Sequence, residues 1–147
     1  MTTELERTLI VMPALNEEAS VAAVVREVFA KLPGVHCLVV DDGSTDNTSD
    51  EARQADARVA RLPFNIGVGD AMRVGFNYAL ERGFANVIQV DPDGQHDPAR
   101  VTDLLAALAG ADLVLRARFA GQGDYHVRGD GRWSCFPAFS AALRKQS

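Results

Sequence analysis

The sequence predicts an α/β fold, a mostly parallel sheet with helices on both faces, and three observations carry that expectation. Short apolar runs alternate along the chain with segments of helical periodicity. The runs are continuous rather than alternating apolar and polar, the pattern of strands buried on both sides. Acidic clusters follow two of these runs directly, at Asp41-Asp42 and at Asp91-Pro92-Asp93. In open parallel sheets the ligand crevice lies at that carboxyl edge, so two clusters on one rim point to a site.

Taken in order, Thr8 to Met12 is the first expected strand, ended by Pro13. Asn16 is suited to cap the next helix, with Glu17 and Glu18 in its first turn. Val21, Val24, Val25, Val28 and Phe29 then recur on one helical face until Pro33-Gly34. Val35 to Val40 is the second strand; it runs into Asp41 to Thr48, a loop rich in turn and cap residues, and a short helix over Ser49 to Gln54. Arg58 to Leu62 is a weak third strand. Asn65-Ile66-Gly67-Val68-Gly69 opens a helix with Met72, Gly75, Phe76, Ala79 and Leu80 on one face, ended by Gly83. Asn86 to Val90 is the fourth strand. Asp97 reads as an N-cap with Pro98 at the first helical position, ahead of Val101, Leu104, Leu105 and Leu108. A fifth strand is expected near Leu113 to Ala117.

Composition narrows the function. The 147 residues fit one domain, and 47% hydrophobic with 24% charged residues is an ordinary globular balance. A net charge of −5 argues against a nucleic-acid partner. Cys37 and Cys135 form no metal-spacing motif and no disulfide framework, which fits a reducing cytoplasm. No apolar run approaches the roughly 20 residues of a membrane span.

Asp91 and Asp93, at i and i+2 where a strand yields to a loop broken by Pro92 and Gly94, can converge on a hard cation, Mg2+ or Mn2+. Asp41 or Asp42 can accept hydrogen bonds from a ribose hydroxyl or a base N–H. Turn and cap chemistry accounts for Ser44, Asp46 and Thr48. Gly67 and Gly69 can bring backbone N–H groups to an anion. A dinucleotide-binding domain is excluded, because the first strand leads into Met12-Pro13-Ala14-Leu15-Asn16-Glu17 without a glycine. A phospho-accepting receiver domain fits poorly: its acidic pair should follow the first strand, and the only lysines are Lys31 and Lys145.

Four motifs in order, Pro13-Ala14-Leu15-Asn16-Glu17, Val40-Asp41-Asp42-Gly43-Ser44-Thr45-Asp46-Asn47-Thr48, Asn65-Ile66-Gly67 and Asp91-Pro92-Asp93-Gly94-Gln95-His96-Asp97-Pro98, resemble family 2 glycosyltransferases of the GT-A fold. The branch they most resemble is that of dolichyl- or polyprenyl-phosphate sugar transferases. The resemblance covers residues 8 to 128 and implies nucleotide contacts at Pro13, Ala14, Glu17, Asp42 and Ser44, with Asn65 and Gly67 in the third motif. It implies a Mg2+ or Mn2+ ion on Asp91 and Asp93, a catalytic set of Asp93, Gln95 and Arg118, and inverting transfer from a nucleotide-diphosphate sugar. The implied acceptor is a polyprenyl phosphate or a glycan, with a cytoplasmic location at the inner membrane face. A lipid phosphate would need no strong base, whereas a sugar hydroxyl would; Asp124 and His126 are base candidates by position only. Leu115-Arg116-Ala117-Arg118 departs from the family's glycine–serine–arginine, and residues 129–147 match no acceptor-side region. The expectation is therefore a 1–128 donor-binding domain with an irregular 129–147 tail, truncated at the carboxyl end and self-associating through exposed apolar surface. The rival expectation is a catalytically incomplete nucleotide-binding remnant.

Overall fold

The computed structural model describes residues 3–94, 97–108, 113–117 and 139–144. Its elements run β1 (Thr8–Ala14), α1 (Val21–Lys31), β2 (His36–Asp41), α2 (Thr48–Gln54), β3 (Arg58–Arg61), α3 (Val68–Arg82), β4 (Asn86–Gln89), α4 (Val101–Leu108), β5 (Leu113–Ala117) and β6 (Phe139–Arg144). The six strands lie in the order β3-β2-β1-β4-β6-β5. β1 pairs in parallel with β2 and β4, and β2 with β3, while β6 runs antiparallel between β4 and β5.

The sheet is covered on both faces, as the continuous apolar runs predict. Along β1, Ile10, Met12 and Ala14 point to one side, where Val21, Val25 and Val28 of α1, Ala52 of α2 and Val101, Leu104 and Leu105 of α4 complete the core. Leu9 and Val11 point to the other, against Ala71, Met72 and Ala79 of α3. The two-residue period of the strand is thus used twice, once per face. α3 approaches β1 closely because Gly75 carries no side chain: a Cβ there would lie 2.5 Å from Val11 Cγ1. Gly83, in the left-handed region at φ 75°, ends the helix as expected.

Three differences from the sequence reading have identifiable physical causes. α1 begins at Val21 rather than after Asn16. Asn16 sits at φ 53°, and the 16–18 backbone is drawn instead into hydrogen bonds with the loop after β2. Leu80, placed by periodicity on the buried face of α3, is 55% exposed, and the core side of that turn is filled by Ala79. Residues 139–144, expected as part of an irregular tail, form β6. The parallel strands leave the edge of β4 unpaired, and an open edge is a ready template for a further strand.

Strand order points to a candidate site. From β1 the chain moves outward through β2 to β3, then returns to set β4 on the other side of β1. β1 and β4 therefore flank a topological switch point, and the crevice outside their carboxyl ends is where such sheets bind ligands.

Candidate nucleotide and metal site

Four loops meet at this rim: those after β1, β2 and β4, and the one leading into α3. Ala14 pairs in register with Asp41, and Val11 with Gln89, so both acidic clusters emerge at one level of the sheet. They leave from strands on either side of β1, two strand spacings or roughly 10 Å apart.

The loops after β1 and β2 are stitched together. The Asn16 N–H donates to Ser44 Oγ at 2.9 Å, the Glu17 N–H to Thr48 Oγ1 at 2.9 Å, and the Glu18 N–H to Asp46 Oδ2 at 3.2 Å. In return, the Thr45 N–H donates to Asn16 Oδ1 at 2.9 Å and the Asn47 N–H to Glu18 Oε2 at 3.0 Å. Asp46 also accepts from the Thr48 hydroxyl and, at 3.0 Å, from its N–H, the turn chemistry expected of these residues. Burial pushes the Asp46 carboxyl up, but the Thr48 and Glu18 donors outweigh it and leave it below its usual value. Glu17 accepts the Ser20 hydroxyl at 3.0 Å, and its carbonyl takes the Ser20 and Val21 N–H groups at the entry to α1.

The two aspartates after β2 are buried. Asp41 is 0% exposed; its Oδ1 accepts the Ser44 N–H at 2.8 Å and its Oδ2 the Ser49 hydroxyl. Burial raises this carboxyl, yet the Ser44 and Ser49 hydrogen bonds and the Arg61 charge together lower it below the ordinary carboxylate range. Asp42 is 5% exposed and accepts the Ile66 N–H at 2.8 Å and the Gly67 N–H at 3.0 Å. The Gly67 N–H also reaches Asn65 Oδ1 at 3.0 Å, so the amide expected to face an anion already has two acceptors. Beside Asp42, Gly43 adopts φ 81°, and a Cβ there would lie 2.6 Å from the Phe64 carbonyl carbon.

The pair after β4 is different. Asp91 is half-buried, and Gln89 Nε2 donates to its Oδ1 at 3.3 Å; Asp93 is exposed, in the turn closed by Gly94 at φ 75°. Asp97 turns away to Lys31 Nζ at 2.9 Å, tying the far end of this loop to α1. Its carbonyl accepts the Arg100 N–H in a 3-10 turn, Pro98–Arg100, that precedes α4. Among the described residues no cluster of three or more metal-ligating side chains occurs. Two hard oxygen donors that leave most coordination positions to phosphate and water suit Mg2+ or Mn2+.

Between the β2 loop and the end of β3 lies an open pocket of about 280 Å³, lined by Gly43, Ser44, Arg61, Leu62 and Pro63. That is room for a nucleoside rather than a whole nucleotide sugar. Of these residues only Ser44 was singled out from sequence. Arg61, whose Nη2 donates to the Ser44 carbonyl at 3.3 Å, sits in no motif; its one signal is its place at the end of a strand beside an acidic loop. Pro13 and Ala14 lie in β1, half-buried and buried, below the same rim, and Asn65 is exposed. Gln95 and Arg118, with Asp124 and His126, lie outside the described residues.

The family profile of glycosyl transferase family 2 matches residues 9–145. The chain belongs to that family. It is 38% identical over 125 residues to a polyprenol monophosphomannose synthase of Mycolicibacterium smegmatis, covering 80% of this chain and 47% of that protein. It is 36% identical over 120 residues to an undecaprenyl-phosphate mannosyltransferase of Micrococcus luteus, covering 76% and 48%. The chain thus spans about half the length of the curated relatives it matches. Among solved structures it resembles glucosyl-3-phosphoglycerate synthase from Mycobacterium tuberculosis in complex with Mn2+, uridine diphosphate and glucosyl-3-phosphoglycerate. The TM-score is 0.58 at 28% identity, over 74% of this chain and 42% of that one. The sheet and its flanking helices are accordingly a GT-A fold. No described helix is long and apolar enough to cross a membrane.

Proposed function

We propose that this chain binds a nucleotide-diphosphate sugar with Mg2+ or Mn2+ and forms the donor half of an inverting glycosyltransferase. The acceptor is a polyprenyl phosphate or a glycan, met at the inner face of a membrane. The observation that carries this reading is the placement of the two acidic clusters on one rim at the switch point, with a nucleoside-sized pocket beside the first. Support comes from the names of the relatives, which act on polyprenyl phosphates, and from the Mn2+ and uridine diphosphate bound by a structural neighbour.

The nucleoside lies toward Ser44, Arg61, Leu62 and Pro63, with Pro13, Ala14 and Glu17 below and the Asn65–Gly67 loop beside it. The diphosphate then extends past the end of β1 toward Asp91 and Asp93. Two carboxylates facing a diphosphate repel it, so a cation is required at that end. When bound, the metal supplies Lewis-acid stabilisation of the leaving diphosphate. Asp91 is held by Gln89, Asp93 sits in the turn, and the Lys31–Asp97 pair fixes the loop's return. Gln95 and Arg118 are assigned to the reacting sugar and to phosphate from the resemblance. An anionic acceptor oxygen attacks the anomeric carbon from the face opposite the diphosphate, the C–O bond to the diphosphate breaks, and configuration inverts. A lipid-phosphate acceptor needs no proton removed; a glycan hydroxyl does.

Calorimetric titration of uridine and guanosine diphosphates, with and without Mn2+, tests the donor half. Asp93→Asn is expected to lose most of the Mn2+-dependent affinity, and Asp97→Asn little of it. Equal affinity in wild type and Asp93→Asn removes the metal assignment. Transfer of labelled sugar to polyprenyl phosphate tests the acceptor half separately.

A further inference from the structure

We infer that Arg61 is a specificity residue of the nucleotide pocket: its guanidinium meets the edge of the base farthest from the ribose and selects a keto group there over an amino group. This rests on the donor reading above and deepens it by naming the class of base. Strand order decides which way round a nucleotide lies. The pocket sits at the ends of β2 and β3, whereas Asp91 and Asp93 follow β4. In the order β3-β2-β1-β4 the two ends of the site are up to three strand spacings apart, roughly 14 Å. A diphosphate held at the β4 end brings the ribose in from the β1 side, and the far edge of the base then points to β3. Arg61 is the last residue of β3, in register with Asp41 at the end of β2.

Arg61 is also the lining side chain with hydrogen-bonding capacity to spare. Of the five lining residues, Leu62 and Pro63 are apolar and Gly43 has no side chain. Ser44 is 4% exposed; its N–H donates to Asp41 Oδ1 at 2.8 Å and its Oγ accepts the Asn16 N–H at 2.9 Å. Arg61 is exposed, and among the described residues its guanidinium makes one hydrogen bond, from Nη2 to the Ser44 carbonyl at 3.3 Å. That bond and the attraction of the Asp41 carboxylate hold the group at the pocket, with most of its N–H donors unused. A guanidinium donates and never accepts. Uracil and guanine carry a keto oxygen on the edge remote from the ribose, and it can accept from Arg61. Cytosine and adenine carry an amino group there, which sets donor against donor.

The test is calorimetric titration of uridine, cytidine, guanosine and adenosine diphosphates in the presence of Mn2+, read as the affinity ratio within each keto–amino pair. In wild type the keto member of the tighter-binding pair should bind about tenfold more tightly, or better, than its amino counterpart. Arg61→Gln offers an acceptor beside a donor, so the ratio should fall toward one while the amino member gains affinity over wild type. Arg61→Ala offers neither, and should bring the ratio to one by weakening the keto member. Arg61 is exposed on an edge strand, so both variants should keep a Tm near that of wild type. If one of them does not fold, the ratio in the other decides. An Arg61 that only steadies the Ser44 loop would, when replaced, weaken all four nucleotides by one factor and leave the ratios unchanged. That result overturns the inference, as does a wild type without a keto preference. A wild-type chain that binds none of the four overturns the donor reading, and this inference with it.

Discussion

Removing the Ser49 hydroxyl is expected to expose how the first acidic cluster is held. Ser49 on α2 is 1% exposed and donates to Oδ2 of Asp41, which is itself 0% exposed and receives the Ser44 N–H on Oδ1. Ser49→Ala leaves one oxygen of a buried carboxylate without its donor. A hydrogen bond to a charged group is worth about 1.5–3 kcal/mol, so a loss of about 2 kcal/mol is expected at neutral pH. In a chain of this size that corresponds to a fall in Tm of roughly 4–8 °C. The pH dependence carries the sharper test. Burial alone would raise the Asp41 carboxyl, but the Ser44 and Ser49 donors and the Arg61 charge bring it below its unfolded value. Its stabilisation is thus complete above about pH 4 and is lost as pH falls through the lower folded value. Ser49→Ala raises that folded value, so the deficit should be largest near pH 7 and shrink toward pH 3. Urea unfolding of both proteins across this range measures it. A deficit that is absent at pH 7, or constant down to pH 3, refutes the argument.

Gly75→Ala should destabilise by about 1–3 kcal/mol through overpacking, since its Cβ would stand 2.5 Å from Val11 Cγ1. Val11→Ala made in the same chain should recover part of that loss, and a strictly additive double mutant in urea unfolding would count against the contact. Cys37 is buried and its thiol is pushed up to about 12 by burial, so in a Cys135→Ser background it should resist a thiol reagent at pH 8. Reaction should appear only on adding denaturant, at the rate of unfolding.

Much of the fold was legible because its signals are local and repeated. Continuous apolar runs marked β1, β2 and β4, and a helical stripe marked α1 from Val21 onward. What escaped depends on partners far away in the chain. The start of α1 is set by Ser44, Asp46 and Thr48, some thirty residues on, which take up the Asn16, Glu17 and Glu18 amides. β6 exists because β4 offers an open edge; nothing in Phe139 to Arg144 has a strong strand pattern of its own. The site shows the same division. Its acidic clusters and their common rim followed from the run-then-acid pattern, whereas Arg61 became part of the pocket only once β3 lay beside β2.

The two acidic clusters look alike in sequence, and burial separates them. Asp41 and Asp42 are 0% and 5% exposed, and each of their four oxygens accepts one hydrogen bond, three from backbone amides and one from the Ser49 hydroxyl, which ties both carboxylates into the fold. Asp91 is half-buried and Asp93 exposed, so these two carboxylates are the more accessible pair. Replacing either kind should weaken nucleotide binding, but by different routes. Asp41→Asn turns an acceptor into a donor facing the Ser44 N–H or the Ser49 hydroxyl, so Tm should fall together with affinity. Asp93→Asn changes an exposed turn, so affinity should fall while the Tm of the unliganded protein moves little. Only the extra stabilisation by nucleotide with Mn2+ should then disappear; for a ligand at about 100 times its Kd that amounts to about 2.7 kcal/mol. Thermal unfolding of both variants, with and without uridine diphosphate and Mn2+, separates the two routes. A lower unliganded Tm in Asp93→Asn than in Asp41→Asn would reverse the assignment and make the loop after β4 the structural one.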